Sequence, residues 1–398
     1  MKRPPYGSRP RLSREMAQLS WLATGLAQAG SRIERSYWFE RLQALVEQLL
    51  ADEDDDALNT VLNRLSESEP VGHDALMDTI ESAVETTTTI IDGKPHDVLL
   101  IACPLLTWSR YAIPAPVLPK KDQLVLGEML KNTVLTRHAR VTTLGMLVGP
   151  DQIPREFTQL AQLTRSLADA LAHEKPAALH DQSKEETNRF LSDTRYLIAA
   201  VAVPKGEAIF RWQEARAASG SAQTNDRSDI ERLWANTCQA KLEPLLAGCR
   251  ITALLPDSFH AACAAADRAS RPHSIQACIH FLHEVLNLPP EKLRASIGPF
   301  HAQRLEEFRI ALGPRNDDVL YHGVVWPLLG IEDEHTDMVA EIEQVLRAAG
   351  VTDIVTHEHR FPMEFCEDCG GPMYANADGE LAHLEMPESV AAQPSTLH

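Results

Sequence analysis

FRIALGPRNDDVLYHGVV, residues 308–325, reads as two apolar strands, Phe308 to Leu312 and Val319 to Val325, joined through a turn at Gly313-Pro314-Arg315-Asn316. Adjacent glycine and proline punctuate the chain: proline lacks the donor a ladder needs, and glycine supplies the backbone freedom a turn needs. On the N-terminal side lie a strand at Ile251 to Leu255, a short helix at Ala261 to Ala269 and a helix at His273 to Leu286. On the C-terminal side a helix at Thr336 to Ala348 stops at Gly350, and Asp353 to His359 forms a last strand. The order βαββαβ favours a ferredoxin-like layout, with helices on one face of an antiparallel sheet.

Upstream, DVLLIACP (Asp97 to Pro104) is a continuous apolar run of strand length, the pattern of a strand buried on both faces. TWSRYAIPAPVLP follows, and Pro114, Pro116 and Pro119 make it a loop. Further elements are a helix at Lys121 to Arg137, a strand at Arg140 to Val148, a helix at Glu156 to Ala172 and a strand at Tyr196 to Val203. Lys205-Gly206 turns that last strand toward a partner at Ala208 to Gln213, and Asp229 to Leu246 is helical. The chain begins with helices: Leu12 to Ala29 carries an apolar stripe ended by Gly30, and Ser31-Arg32-Ile33-Glu34 has the form of a capping box for the next. Leu58 to Leu65 and Asp74 to Val84 add two more. The expected class is α+β: an N-terminal helical segment, two α/β sandwich-like halves and a C-terminal zinc-knuckle-like tail. The expected divisions are a disordered basic arm at 1–14, the helical segment at 15–86 and a first α/β domain at 87–214. A linker at 215–228, a second α/β domain at 229–360, a cysteine-pair knuckle at 361–388 and a disordered tail at 389–398 complete them.

With 398 residues, 44% of them hydrophobic, the chain has material for more than one core. Its net charge of −18 argues against nucleic acid, whose binding needs Lys and Arg to displace counterions, and against an anionic membrane surface. Most of the excess is local: residues 331–390 hold 15 acids against Arg347 and Arg360. The opening is basic (Lys2, Arg3, Arg9, Arg11, Arg14), but Pro4, Pro5, Gly7 and Pro10 break it into a solvated arm rather than a helix face. No apolar run approaches the roughly 20 residues of a membrane span. Five of the seven cysteines are scattered singly among apolar neighbours, as in a reducing, cytoplasmic compartment.

The chemistry concentrates in RFPMEFCEDCGGPMYANADGELAHLEMPE, residues 360–388. Cys366 and Cys369, two residues apart, can turn toward one ion at about 2.3 Å, and Gly370 behind them allows the positive φ that aims amides at sulfur. Asn376-Ala377-Asp378-Gly379 returns the chain to His383, a third ligand, and His357 or His359, alternating on the incoming strand, is the expected fourth. Zinc suits this soft and borderline set. A redox role fits less well, because Glu367 and Asp368 are expected to raise the thiol pKa values. Trp108, Arg110 and Tyr111, on the proline-rich loop, form a second candidate for ligand binding, weighed against an aromatic anchor packing the loop down. His280 and His283 lack a metalloprotease order, and the chain has no G-x-G-x-x-G, P-loop or G-x-S-x-G.

FCEDCGGPMY, GELAHLEMPE and the WSRY that follows a buried strand together resemble a family of bacterial proteins of unknown function, chiefly from betaproteobacteria and of about this length. The resemblance implies a bacterial cytosolic protein with a recurrent cysteine-pair tail and brings no catalytic assignment. Two functions are therefore expected in order: a non-catalytic binding or regulatory protein, partnered by a protein or small ligand, with a structural zinc knuckle; or a zinc-dependent, hydrolase-type enzyme with an open metal position and Glu358 or Glu385 as base.

Overall fold

The computed structural model describes residues 12–173, 191–214 and 226–385. Most of the expected basic arm (1–11), most of the linker (215–225), the last residues of the knuckle (386–388) and the tail (389–398) lie outside the described residues. In chain order the elements begin with α1 (Arg14–Ala27), α2 (Arg32–Ala51), α3 (Asp55–Ser68) and α4 (Pro70–Glu85). Ser31 is the N-cap of α2, half of the expected capping box: its hydroxyl accepts from the Glu34 amide at 3.2 Å, and the Glu34 carboxylate accepts from that hydroxyl at 2.8 Å.

A first sheet follows. Its parts are β1 (Thr86–Ile91), β2 (Lys94–Trp108), α5 (Lys120–Thr133), β3 (Arg140–Val148), α6 (Phe157–Ala172), β4 (Ser192–Pro204), α7 (Arg227–Leu242), β5 (Arg250–Ala253) and β6 (Asp257–Ser258). The strands run β1-β2-β4-β3, all antiparallel, and β5 and β6 also pair with β2. Along β2 and β4 the side chains alternate between two cores. Leu100, Ala102, Ile198 and Ala200 face the core shared with α1 to α4 and α6. Ile101, Cys103, Leu197 and Ala199 face Leu130 of α5 and Trp234 of α7. Helices on both faces explain the unbroken apolar run: every residue of β2 from Val98 to Trp108 is buried.

The second sheet is built from α8 (Phe259–Leu286), β7 (Leu293–His301), β8 (Leu305–Pro314), β9 (His322–Pro327), α9 (Met338–Ala348), β10 (Asp353–Thr356) and β11 (Phe361–Pro362), and the hairpin β12 (Tyr374–Ala375) with β13 (Leu381–Ala382) lies beyond it. The expected hairpin is there, with β8 antiparallel to β9 from Glu307↔Pro327 to Leu312↔His322. Three details correct the βαββαβ reading. The strand expected to open the unit, at Ile251, pairs with β2 of the first sheet, and α7 packs Ile230, Trp234 and Cys238 into that sheet's core. The two helices expected around Pro272 are one 28-residue helix. Its own packing on both sides holds the helix through the proline, at the cost of one donor. Finally, β7 was not foreseen, and it is the centre of the sheet, antiparallel to β8 and parallel to β10 and β11. The unit is αβββαβ with a mixed sheet in the order β10-β7-β8-β9, so the ferredoxin-like detail falls while the α+β class stands. Ala208 to Gln213, expected as a strand, contributes a single bridge, Leu135↔Phe210, and a tight turn.

Helices α8 and α9 cover one face of this sheet through Ile275, Cys278, Leu282, Ile342 and Leu346. The tail covers the other, where Phe361 and Ala375 pack on Phe300, and Tyr374 packs on Ala311 and Leu320. Two glycines make the close approach fit: a Cβ on Gly298 would stand 2.9 Å from the Phe361 ring, and one on Gly323 would stand 2.3 Å from the Tyr374 ring.

Candidate metal centre

The tail leaves β11, forms a narrow loop and returns. Phe365 and Pro372 bridge across its neck, the Cys366 amide donates to the Gly371 carbonyl at 2.7 Å, and the Gly370 amide donates to the Cys366 carbonyl at 2.9 Å. Gly370 has φ +70°, which only glycine adopts without strain, and this reversal carries the Gly371 amide to the Cys369 Sγ at 3.3 Å. The β12-β13 hairpin then supplies the third ligand. Asn376 closes its turn by accepting from the Asp378 and Glu380 amides through its side-chain oxygen.

The result is one group: ligand atoms of Cys366, Cys369 and His383 lie within 4.8 Å of one another, and the Cys369 Sγ is 3.1 Å from the His383 Nε2. These three residues can hold a metal ion. The amide of Cys369, with that of Asp368, holds the Cys366 thiol below its usual range and outweighs the neighbouring Asp368 carboxylate. For Cys366 that reverses the expectation of a raised thiol pKa: backbone amides that donate to its sulfur favour the thiolate by more than the Asp368 charge disfavours it.

The expected fourth ligand is not in the group. His357 shares its Nε2 with the Asn376 carbonyl at 2.8 Å and the Ser296 hydroxyl at 3.0 Å, so it ties the β12-β13 turn to β7. His359 packs edge-on against Phe361 with ring centroids 5.1 Å apart.

A residue missed at the sequence level positions the loop. Arg309 on β8 is fully buried; its Nε donates to Glu307 at 2.6 Å and its Nη1 donates to the carbonyls of Glu364 and Met373, both at 2.7 Å. Those carbonyls belong to the two arms that enter and leave the cysteine loop, and the guanidinium lies 4.2 Å over the Phe300 ring. The signal was present in FRIAL: a period of two that puts Phe308, Ile310 and Leu312 on one face leaves an arginine on the other, which needs partners if that face is covered.

At the second candidate site the tryptophan packs as an anchor and the three residues also border a cavity. Trp108 is buried at the end of β2, stacks on His280 with centroids 5.9 Å apart, and receives Arg250 over its ring. Arg110 bonds the Tyr111 hydroxyl beside a small cavity of about 150 Å³ that all three residues line.

Compared with known proteins, the chain matches no curated protein and no solved structure. A family model described as "Protein of unknown function (DUF2863)" matches residues 6–397, nearly the whole length, and the chain belongs to that family.

Proposed function

We propose that this is a non-catalytic, cytosolic binding or regulatory protein, of the betaproteobacterial range the sequence resemblance implies, in which zinc held by Cys366, Cys369 and His383 orders the loop at the tip of its tail. The observation that carries this reading is the convergence of two thiols and an imidazole on a loop whose base is fixed by Arg309. Two soft sulfurs and a borderline nitrogen are a zinc donor set. Three ligands alone would also suit a catalytic zinc, but that chemistry needs a concave, water-excluding site, and here Cys369 and His383 are exposed. The cytosolic part is supported by seven unpaired cysteines. No helix of the described residues is long and apolar enough to cross a membrane. The acidic charge favours a protein or small-ligand partner over nucleic acid or an anionic membrane surface.

Elemental analysis of tag-free protein tests the metal directly. About one zinc per chain is expected, and none in a Cys366→Ser, Cys369→Ser double variant whose αβββαβ core remains folded. Equal, substoichiometric zinc in both proteins would overturn the proposal.

A further inference from the structure

Helix α8 belongs to both halves of the molecule. Phe259, Ala262 and Ala266 sit in the first sheet's core, and Ile275, Cys278 and Leu282 sit in the second's. Between them the helix crosses a seam, and residues 267–274 turn polar. Arg271 is consumed on one side, where it pairs with Glu332 at 2.7 and 3.0 Å over the Trp326 ring. On the other side Asp267, Ser270, His273 and Ser274 face Asp193 and Tyr196 of β4 across a cavity of about 210 Å³. The Ser192 and Ser274 hydroxyls, 2.8 Å apart, link the two elements there.

We propose that this seam cavity binds a small protonated amine, with Asp267 as the counter-charge at its mouth and the His273 Nε2 as an acceptor inside. Among the described residues no side chain or amide donates a hydrogen bond to the exposed Asp267 carboxylate, whereas the Asp193 carboxylate is already matched by Arg195 at 2.6 Å. Arg195 directs its other donors to the carbonyls of Ile113, Pro114 and Thr194, so that cation is committed to the proline-rich loop and its own strand, and the positive charge acting on Asp267 is that of its exposed neighbour Arg268. The His273 Nε2 is buried and has no hydrogen-bond partner. Burial lowers the pKa of this imidazole, so the ring is neutral, and the Thr107 backbone accepts from it, which leaves the Nε2 lone pair to receive a proton donor. Burial raises the pKa of the Tyr196 phenol, which stays neutral and adds no negative charge.

Acceptors and a carboxylate without a hydrogen-bonded counter-ion among the described residues, offset only by the charge of exposed Arg268, favour a cation with N–H donors and disfavour an anion. A bare metal ion fits less well: among the described residues the group whose ligand atoms converge is that of Cys366, Cys369 and His383, and it does not include His273 or Asp267. The volume corresponds to about seven waters at roughly 30 Å³ each, the size of a short amine or diamine. Seams between packed units are also where small-ligand sites concentrate.

The site deepens the binding role proposed above without depending on zinc. Titration calorimetry of the full chain with putrescine and ethanolamine, with neutral ethylene glycol as control, tests it. Saturable binding of an amine and none of the glycol is expected. Asp267→Asn should weaken the amine by at least about tenfold. Glu128→Gln, an exposed acid on α5, should leave it unchanged, and so should the Cys366→Ser, Cys369→Ser variant. His273→Phe should also weaken it; if that variant fails to fold, the surface variant Asp267→Asn still decides. No saturation by either amine below about 10 mM, or equal affinity in Asp267→Asn, would overturn the inference.

Discussion

Replacing Arg309 by leucine tests whether the tail is fastened to the second sheet by a buried guanidinium. The leucine keeps much of the stem's apolar contact with Phe300 and deletes the donors to Glu307, Glu364 and Met373. It leaves the Glu307 carboxylate, whose side chain is 16% exposed, without its cation, and leaves two backbone carbonyls short of a donor. Breaking a buried ion pair from one side costs on the order of 3 kcal/mol, because the surviving charge stays desolvated. Each carbonyl retains one lone-pair partner at most, so the loss falls on the tail as well as on the sheet. Urea unfolding should therefore show a fall of about 3 kcal/mol. Hydrogen exchange should show fast amides at Cys366 and Gly370, which are held in the native loop. Glu307→Gln is the informative partner: a neutral amide oxygen can still accept from Arg309, and the loss should be smaller. Stability within about 0.5 kcal/mol of the parent, with unchanged exchange in residues 361–385, would refute the clamp.

Gly323→Ala places a Cβ 2.3 Å from the buried Tyr374 ring, and is expected to cost about 1–3 kcal/mol in thermal or urea unfolding as β12 is pushed from β9. No loss would mean that the tail does not press on the sheet there. Glu85, half-buried beside the His260 amide and near Glu81 and Asp257, has its pKa raised from 4.5 to about 7, chiefly by desolvation. The folded state holds this proton more tightly, so its contribution is most favourable below about pH 4.5 and is lost as pH rises to about 7, by up to about 3 kcal/mol before discounting for partial exposure. His260, lowered to about 4 by burial, slopes the other way between about 4 and 6.5, so the comparison must be a difference. Relative to the parent, Glu85→Gln should gain stability between pH 5 and pH 8, and an identical difference at both would sink the assignment.

What could be read from the letters followed from patterns that depend on one segment. The hairpin around Gly313 and Pro314, the helices of the opening and the Cys366, Cys369, His383 group each depend on local spacing, and each is found. Partner choice depends on distant segments and was misread. β5 looks like any short strand; only the length of β2, which runs to Trp108, gives it an edge in the first sheet. In β7, Gly298 and Pro299 are residue types that weaken a strand pattern, yet Pro299 lies beyond the β10 pairs ending at Ile297 and before the β11 pair at Phe300, where neither asks for its missing donor. The strand expected to run to His359 ends at Thr356, so His357 and His359 lie past β10, where His357 meets Ser296 and Asn376 and neither joins the cysteine group.

The alternation along β8 shows why the candidate metal group is more than an appendage. Phe308, Ile310 and Leu312 join the helical core, while Arg309 and Ala311 point to the tail, so a one-residue slip would bury the arginine among apolar helices and expose three large side chains. The tail is thus the second layer of this sheet. Its base is fixed by Phe361, Tyr374 and Arg309 independently of any ion, and only its tip carries the ligands. Two parts of one tail should then come apart under different perturbations. Removing metal or the cysteine pair should free the loop around residues 366–371 and leave Tyr374 packed on Ala311. Removing Arg309 should loosen both, because the carbonyls it holds are the hinge posts of that loop. An ion bound at the tip would order a surface loop on an already rigid platform, as a binding epitope requires.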